Sequence, residues 1–166
     1  MSERRRAARI VLLCDDTVLL LKGFDPGDPG AGPWWITPGG GMIGDESPES
    51  AAARELYEET GHAVAPERLG PVVATRVAHF SFEGRDYEQA ETFFAVRAER
   101  FEPHGHGWEE AEQRSLMEHR WWRVDDLAAT DERVYPVELP VLVRALLDDT
   151  LTRPLHLGGE SGHTAR

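Results

Sequence analysis

The chain is expected to fold as an α/β sandwich, a mixed sheet with helices on both faces. Three observations predict it. Two pairs of apolar, strand-like runs are each joined by a tight turn, which makes two hairpins. A helix whose start and stop are both written in the sequence lies between them. A further strand followed by an amphipathic helix closes the pattern. Strands and helices interleaved in this way bury a sheet between helical layers.

The elements follow in order. Ala8 to Cys14 reads as a first strand and Thr17 to Lys22 as a second, with Asp15-Asp16 as the turn between them. Phe24 to Pro33 is rich in Gly, Pro and Asp and reads as a loop. Trp34 to Thr37 is a short strand that feeds a glycine-rich loop, Gly39 to Gly44. Strand alternation sends Trp34 and Trp35 to opposite faces. One belongs to the core and the other meets a ligand, and we place Trp35 at the substrate. Ser47 then caps a helix that Pro48 opens and Gly61 ends. Gly70 to Phe82 and Tyr87 to Val96 form the second hairpin, turning at Glu83-Gly84-Arg85-Asp86. Arg76 and Arg85 on this hairpin are candidates for substrate phosphate, with surface pairing to Glu88 and Glu91 as the simpler role.

The stretch from Arg100 to Arg114 is polar and reads as a solvated loop, although its His104-Gly105-His106 run has metal-binding residue types. Glu118 to Val124 is a final strand, and Asp125-Asp126-Leu127 opens a short helix. Val137 to Asp148 is an amphipathic helix that buries Leu139, Val143, Leu146 and Leu147. Residues 1–149 thus make one domain, and 150–166, polar and Gly-containing, form a loose tail. There is no internal repeat.

Composition narrows the function. A length of 166 residues suits a single domain, and 40% hydrophobic residues suffice for an ordinary core. The net charge of −12 argues against nucleic acid and anionic membrane as partners. An acidic protein that handles phosphates needs cations to bring the two together. The single cysteine, Cys14, excludes an internal disulfide, reads as a buried inert thiol and fits a cytoplasmic location. The apolar run after Arg4-Arg5-Arg6 is too short to span a membrane and has no export cleavage site.

The chemistry concentrates on the first helix. At about 100° per residue, Glu55, Glu58 and Glu59 fall within one arc, with Arg54 at its border. Ala52, Ala53 and Leu56 point to the core, and small Ala51 leaves the arc open. Glu55 and Glu59 stand one turn apart, a like-charge pair that costs a few tenths of a kcal/mol on its own. A hard divalent cation turns that cost into affinity. Acidic helix faces are usually only solvated. Here a glycine loop, of the kind that lets backbone approach a phosphate or metal closely, runs straight into the acidic arc.

Gly40, five residues, Glu46, seven residues and then Arg54-Glu55-Leu56-Tyr57-Glu58-Glu59-Thr60-Gly61 resembles the Nudix box of the Nudix hydrolase family. All seven fixed positions match, a coincidence with a chance probability on the order of 10⁻⁸ at a given site. His62 departs from the pattern, since that position is usually aliphatic, and Val64 is the candidate for the missing apolar contact. The resemblance covers roughly residues 8 to 149 and implies the same α/β sandwich. It implies a metal-dependent hydrolase that cleaves the pyrophosphate bond of a nucleoside diphosphate linked to another group, with Mg2+ or Mn2+ as cofactor. Glu58 and Glu59 are then metal ligands. Glu55 completes the metal shell or deprotonates the attacking water. Arg54 holds a box glutamate in place, and Glu46 ties the loop to the helix. The carbonyl of Gly39 is a further ligand, and Gly40 and Gly41 approach the substrate. Glu110 or Glu112 supplies an additional base. The family also allows a homodimer. Three other functions are open. The first is a non-catalytic domain of this type that senses a nucleotide sugar, although such domains lose box glutamates. The second is prenyl diphosphate isomerisation, for which Cys14 is poorly placed. The third is a structural calcium site, for which no loop has the ligand spacing.

Overall fold

The computed structural model describes residues 1–104 and 116–158. Among them, nine strands form one mixed sheet: β1 (Glu3–Cys14), β2 (Thr17–Gly23), β3 (Trp34–Ile36), β4 (Gly39–Gly41), β5 (Val72–Phe82), β6 (Arg85–Arg97), β7 (Leu116–Arg123), β8 (Val134–Tyr135) and β9 (Leu155–Leu157). The helices are α1 (Pro48–Thr60), α2 (Val124–Ala129) and α3 (Leu139–Leu147).

Alternation along the central strands builds two cores, one on each side of the sheet. Ala8, Ile10 and Leu12 of β1 and Leu19 of β2 face α1, where Ala51, Ala52 and Leu56 meet them. Val11, Leu13, Val18 and Leu20 face the other way, against Leu127 of α2 and Leu139, Leu142 and Val143 of α3. The sandwich with helices on both faces is the architecture expected. Each fully buried Leu, Ile or Phe contributes about 2 kcal/mol. Ala51, expected only as a small residue beneath the acidic arc, is fully buried and joins the α1 core.

Both hairpins form, the first turning at Asp15-Asp16 as expected and the second at Glu83-Gly84 alone, with Arg85 and Asp86 of the expected turn already paired in β6. Asp15 and Glu83 adopt positive φ angles of 51° and 49°, as two-residue turns between twisted strands require. Helix α1 starts and stops where its caps predict: Ser47 Oγ accepts from the Ser50 amide at 3.1 Å, and Gly61 closes the helix at φ 80°.

The differences from expectation are non-local in origin. β1 begins at Glu3 because it pairs in parallel with β6, from Glu3 opposite Tyr87 to Leu13 opposite Arg97. The polar start of that strand gave no local sign of this. Part of the glycine loop is strand: Gly39, Gly40 and Gly41 pair with Arg9, Ala8 and Ala7. The tail is not loose throughout, since Leu155–Leu157 lies parallel to β5, opposite residues 74 to 76, with Leu157 in the core. Cys14 is buried, as expected. No helix of the described residues is long and apolar enough to cross a membrane.

Candidate active site

The site is built where α1, β4 and the β1–β6 pair meet. Helix α1 carries its acidic flank past β4, and glycine is what allows the approach. A Cβ on Gly40 would stand 2.6 Å from Glu55 Oε1, and one on Gly39 would stand 2.2 Å from the Ala8 carbonyl oxygen. The amide of Gly39 donates to Glu59 Oε1 at 2.6 Å. Strand, glycine run and acidic helix are thus locked together by direct contact.

Arg54 gathers the other carboxylates. It donates from Nε and Nη2 to the two oxygens of Glu46, at 3.3 and 2.7 Å, and from Nη2 to the Gly41 carbonyl at 3.0 Å. From Nη1 it reaches Glu55 Oε1 at 3.1 Å and Glu58 Oε2 at 3.3 Å. Glu46 also accepts from the Ile43 amide at 2.7 Å, so it ties the loop to the helix. The fork to Glu46 is the paired geometry that guanidinium favours, and it holds the Glu46 carboxyl below the usual carboxylate range. Glu55 is 6% exposed and Glu59 8%. Burial pushes the Glu55 carboxyl upward, with Arg54 pulling against it.

The donor set suits a hard divalent cation: three carboxylates on one helical flank, with a backbone carbonyl nearby. A single cationic nitrogen, Arg54 Nη1, already bridges Glu55 and Glu58. The described residues form no ready-made cage, however. Among the described residues no three acidic, histidine or cysteine groups converge on one ion. Arg54 clasps two of the glutamates, and the third turns to the Gly39 amide. The Gly39 carbonyl accepts from Arg9 Nη1 at 3.2 Å.

Beside Glu59 opens a cleft of about 160 Å³. That is less than a site for a whole drug-sized ligand, so it takes one portion of a substrate. Its floor is charged: Glu91 pairs with Arg9 Nε at 3.1 Å and with Arg76 Nε at 3.3 Å, and all three side chains are buried. Gln89 donates to Glu91 at 2.7 Å and accepts from Arg5. Trp34, Phe80 and Tyr135 contribute aromatic wall. Asp25 accepts from the amides of Gly27 and Glu83, at 2.8 and 2.9 Å, and so fastens the loop after β2 to the β5–β6 turn.

Several expectations change here. Trp34, not Trp35, lines the cleft. Trp35 packs edge-on against Trp122, with centroids 5.3 Å apart, and its indole donates to Glu132. Alternation separated the pair as expected, but which member faced the cleft depended on the sheet's neighbours. Arg76 does pair with a glutamate, yet in the interior rather than at the surface. Gly40 lies against Glu55, and the carbonyl of Gly41 accepts from Arg54. His62 stacks on Phe101, with centroids 5.0 Å apart, and burial lowers its pKa. Val64 packs on the α1 core, the contact expected of it. Glu110, Glu112 and His106 lie outside the described residues. Arg9, Gln89 and Glu91 were missed as site residues. Arg9 alone had a signal, a charge within an apolar strand, whereas Gln89 and Glu91 lie on the polar half of β6.

A family model described as the NUDIX domain matches residues 3–142. Over 27 residues the chain is 63% identical to diphosphoinositol polyphosphate phosphohydrolase 3-alpha of Mus musculus, which covers 16% of each chain. Over 69 residues it is 38% identical to the RNA pyrophosphohydrolase of Mesorhizobium japonicum, covering 38% of this chain and 40% of that protein. The matches thus span less than half the length of these curated relatives. The crystal structure of the MutT protein from Methanosarcina mazei Go1 superposes with a TM-score of 0.64 at 17% identity, over 92% of this chain and 98% of that one. A family model that runs from the first strand into the last helix, and takes in the glycine strand and the acidic flank of α1 between them, settles the membership: the chain belongs to the NUDIX domain family.

Proposed function

We propose that the protein is a metal-dependent hydrolase that cleaves the pyrophosphate bond of a nucleoside diphosphate linked to another group, such as a nucleotide sugar, a dinucleotide or a nucleoside triphosphate. One observation carries this reading: Glu55, Glu58 and Glu59 share one flank of α1 against a glycine strand, and Glu59 opens on a cleft floored by Arg9 and Arg76. The family supports it, as do the phosphohydrolase and pyrophosphohydrolase names of the two curated relatives. Lone, buried Cys14 suits a reducing compartment, so we place the protein in the cytoplasm.

Bound Mg2+ or Mn2+ supplies neutralisation of the diphosphate and a more acidic water. Glu58, Glu59, Glu55 and the Gly39 carbonyl are the groups that would hold it. Glu55 fills one of two roles, ligand or acceptor of the water's proton. Arg54 keeps Glu55 and Glu58 from repelling each other, and the cleft takes the organic part of the substrate. Incubation with Mg2+ and a panel of ADP-ribose, dinucleotides and nucleoside triphosphates, reading phosphate after a coupled phosphatase, tests the proposal. Product from at least one class is expected. Binding without product across the panel would favour the sensing domain instead.

Two variants probe the support around the glutamates. Arg54→Ala is expected to lower turnover by about ten- to a hundredfold, because Arg54 acts through the carboxylates it holds. It should also cost about 2 kcal/mol of stability in urea unfolding, from the lost charged hydrogen bonds. A larger loss of turnover than for Glu59→Gln would place Arg54 on the substrate. Gly40→Ala sets a methyl group 2.6 Å from Glu55 Oε1. The carboxylate is the end of a flexible side chain and swings aside, so the fold should survive. Displacement by about 1 Å is expected to reduce turnover up to about a hundredfold. Unchanged turnover would show that Glu55 has no fixed role.

A further inference from the structure

Beyond flooring the cleft, the buried charges of β1 and β6 have no task in that chemistry. Arg9 and Glu91 are 9% and 4% exposed, and they lie on neighbouring strands at the heart of the sheet. Burying such a group is costly unless it is paired and hydrogen-bonded. An apolar pair of similar volume would often be no less stable. Their bonds show where the arrangement leads. Arg9 Nε is held by Glu91 Oε2 at 3.1 Å, which aims the rest of the guanidinium at β4. Arg9 Nη1 then donates to the carbonyls of Thr37 and Gly39, both at 3.2 Å. These two carbonyls bracket the turn into β4. On the other side of the same residue, the Gly39 amide donates to Glu59 Oε1 at 2.6 Å.

We propose that Arg9 and Glu91 form a positioning unit: Glu91 aims Arg9, Arg9 fixes the Gly39 peptide, and Gly39 in turn sets the carboxylate of Glu59 and its own carbonyl in place to take up the divalent cation. The inference rests on the hydrolase reading given above. A guanidinium beside a cation site opposes the cation, and Glu91, which Arg9 shares with Arg76, offsets part of that charge. Arg76 Nε stands 3.3 Å from the other oxygen of Glu91, an ion pair by distance that draws that oxygen to the side away from Arg9. Neither Arg9 nor Glu91 touches the reacting atoms. Both are positioning residues, acting through Gly39.

The test uses the full chain and two variants. Glu91→Gln removes the charge but keeps the shape. Arg9→Lys keeps the charge but offers one nitrogen where three bonds are needed, and it decides the matter if the Gln variant does not fold. Amide hydrogen exchange at Gly39 is read by nuclear magnetic resonance, with the amide of Leu12, in the same first strand, as reference. Mn2+ affinity is read by electron paramagnetic resonance titration without substrate. In both variants Gly39 should exchange at least about tenfold faster while Leu12 is unchanged. The Mn2+ dissociation constant should rise about tenfold or more, as for loss of a group that orients a metal ligand. Unchanged Gly39 exchange and Mn2+ affinity would overturn the proposal, whatever the melting temperature does. So would a rise in KM alone, which would make Arg9 a substrate contact. If the wild-type chain bound no Mn2+, the hydrolase reading would fall, and the cation part of this inference with it. Gly39 exchange would still judge the hold of Arg9 and Glu91 on β4.

Discussion

Glu59→Gln is expected to lower turnover by about three orders of magnitude and to leave the chain folded. The two halves of that expectation have separate causes. The side-chain oxygen of glutamine still accepts from the Gly39 amide, so the 2.6 Å contact that joins α1 to β4 survives. The second oxygen becomes an NH2 group, which has no lone pair for a hard cation. Loss of one anionic ligand at a site that stabilises transition-state charge is worth about 4 kcal/mol, and each 1.36 kcal/mol is about tenfold in rate. The measurement is kcat with Mg2+ on the best substrate of the panel, beside a thermal melt. Turnover within about tenfold of wild type would remove Glu59 from the cation site and leave the hydrolase proposal without its central group.

Gly39→Ala should instead destabilise the fold. Gly39 has φ 143°, which an L side chain rarely adopts, and its Cβ would lie 2.2 Å from the Ala8 carbonyl and 2.8 Å from Arg9 Cα. Those are backbone atoms of β1, held by pairing to β4 on one side and β6 on the other, so they cannot move away. Backbone strain and overpacking together cost about 3 kcal/mol or more. In a domain of this size that lowers Tm by about 10 °C. Gly41→Ala is the control, because no atom lies within 4 Å of its added Cβ. Equal melting of the two variants would show that β4 can shift relative to β1. Read beside Gly40→Ala, the pair separates two demands on one tripeptide. Gly39 is needed so that the sheet can close, and Gly40 so that Glu55 can reach it.

Much of this architecture can be read locally. Helix α1 carries its own start in Ser47 and Pro48 and its own stop in Gly61, and both hairpins carry their turns. The acidic flank and its arginine are likewise written within six residues, and their mutual contacts follow from helical spacing. What local reading misses depends on distant partners. Arg4, Arg5 and Arg6 gave no reason to extend β1, because the strand there is specified by β6, more than 80 residues on, as Arg5 opposite Gln89 shows. Trp34 and Trp35 have the same local pattern, and the core that takes Trp35, with Trp122 of β7 edge-on to it, is assembled from distant strands. The tripeptide Leu155-His156-Leu157 is too short to register as a strand until β5 offers it an edge. Glu91 looked like one more surface charge on a polar strand. Its burial comes from Arg9 and Arg76, which flank it on β1 and β5.

The parallel pairing of the first strand with the sixth also governs when the protein can become competent during synthesis. As the chain emerges, its opening hairpin and capped helix can form early, from contacts between near neighbours. The guanidinium of Arg9 has no counter-ion until a segment 82 residues later has been made. Loop closure over that distance is entropically costly and slow. A nascent chain that ends before β6 therefore carries a complete acidic helix beside an unfinished floor. Such a fragment holds the recognisable sequence signature and still lacks Gln89 and Glu91, the part of the cleft that β6 contributes.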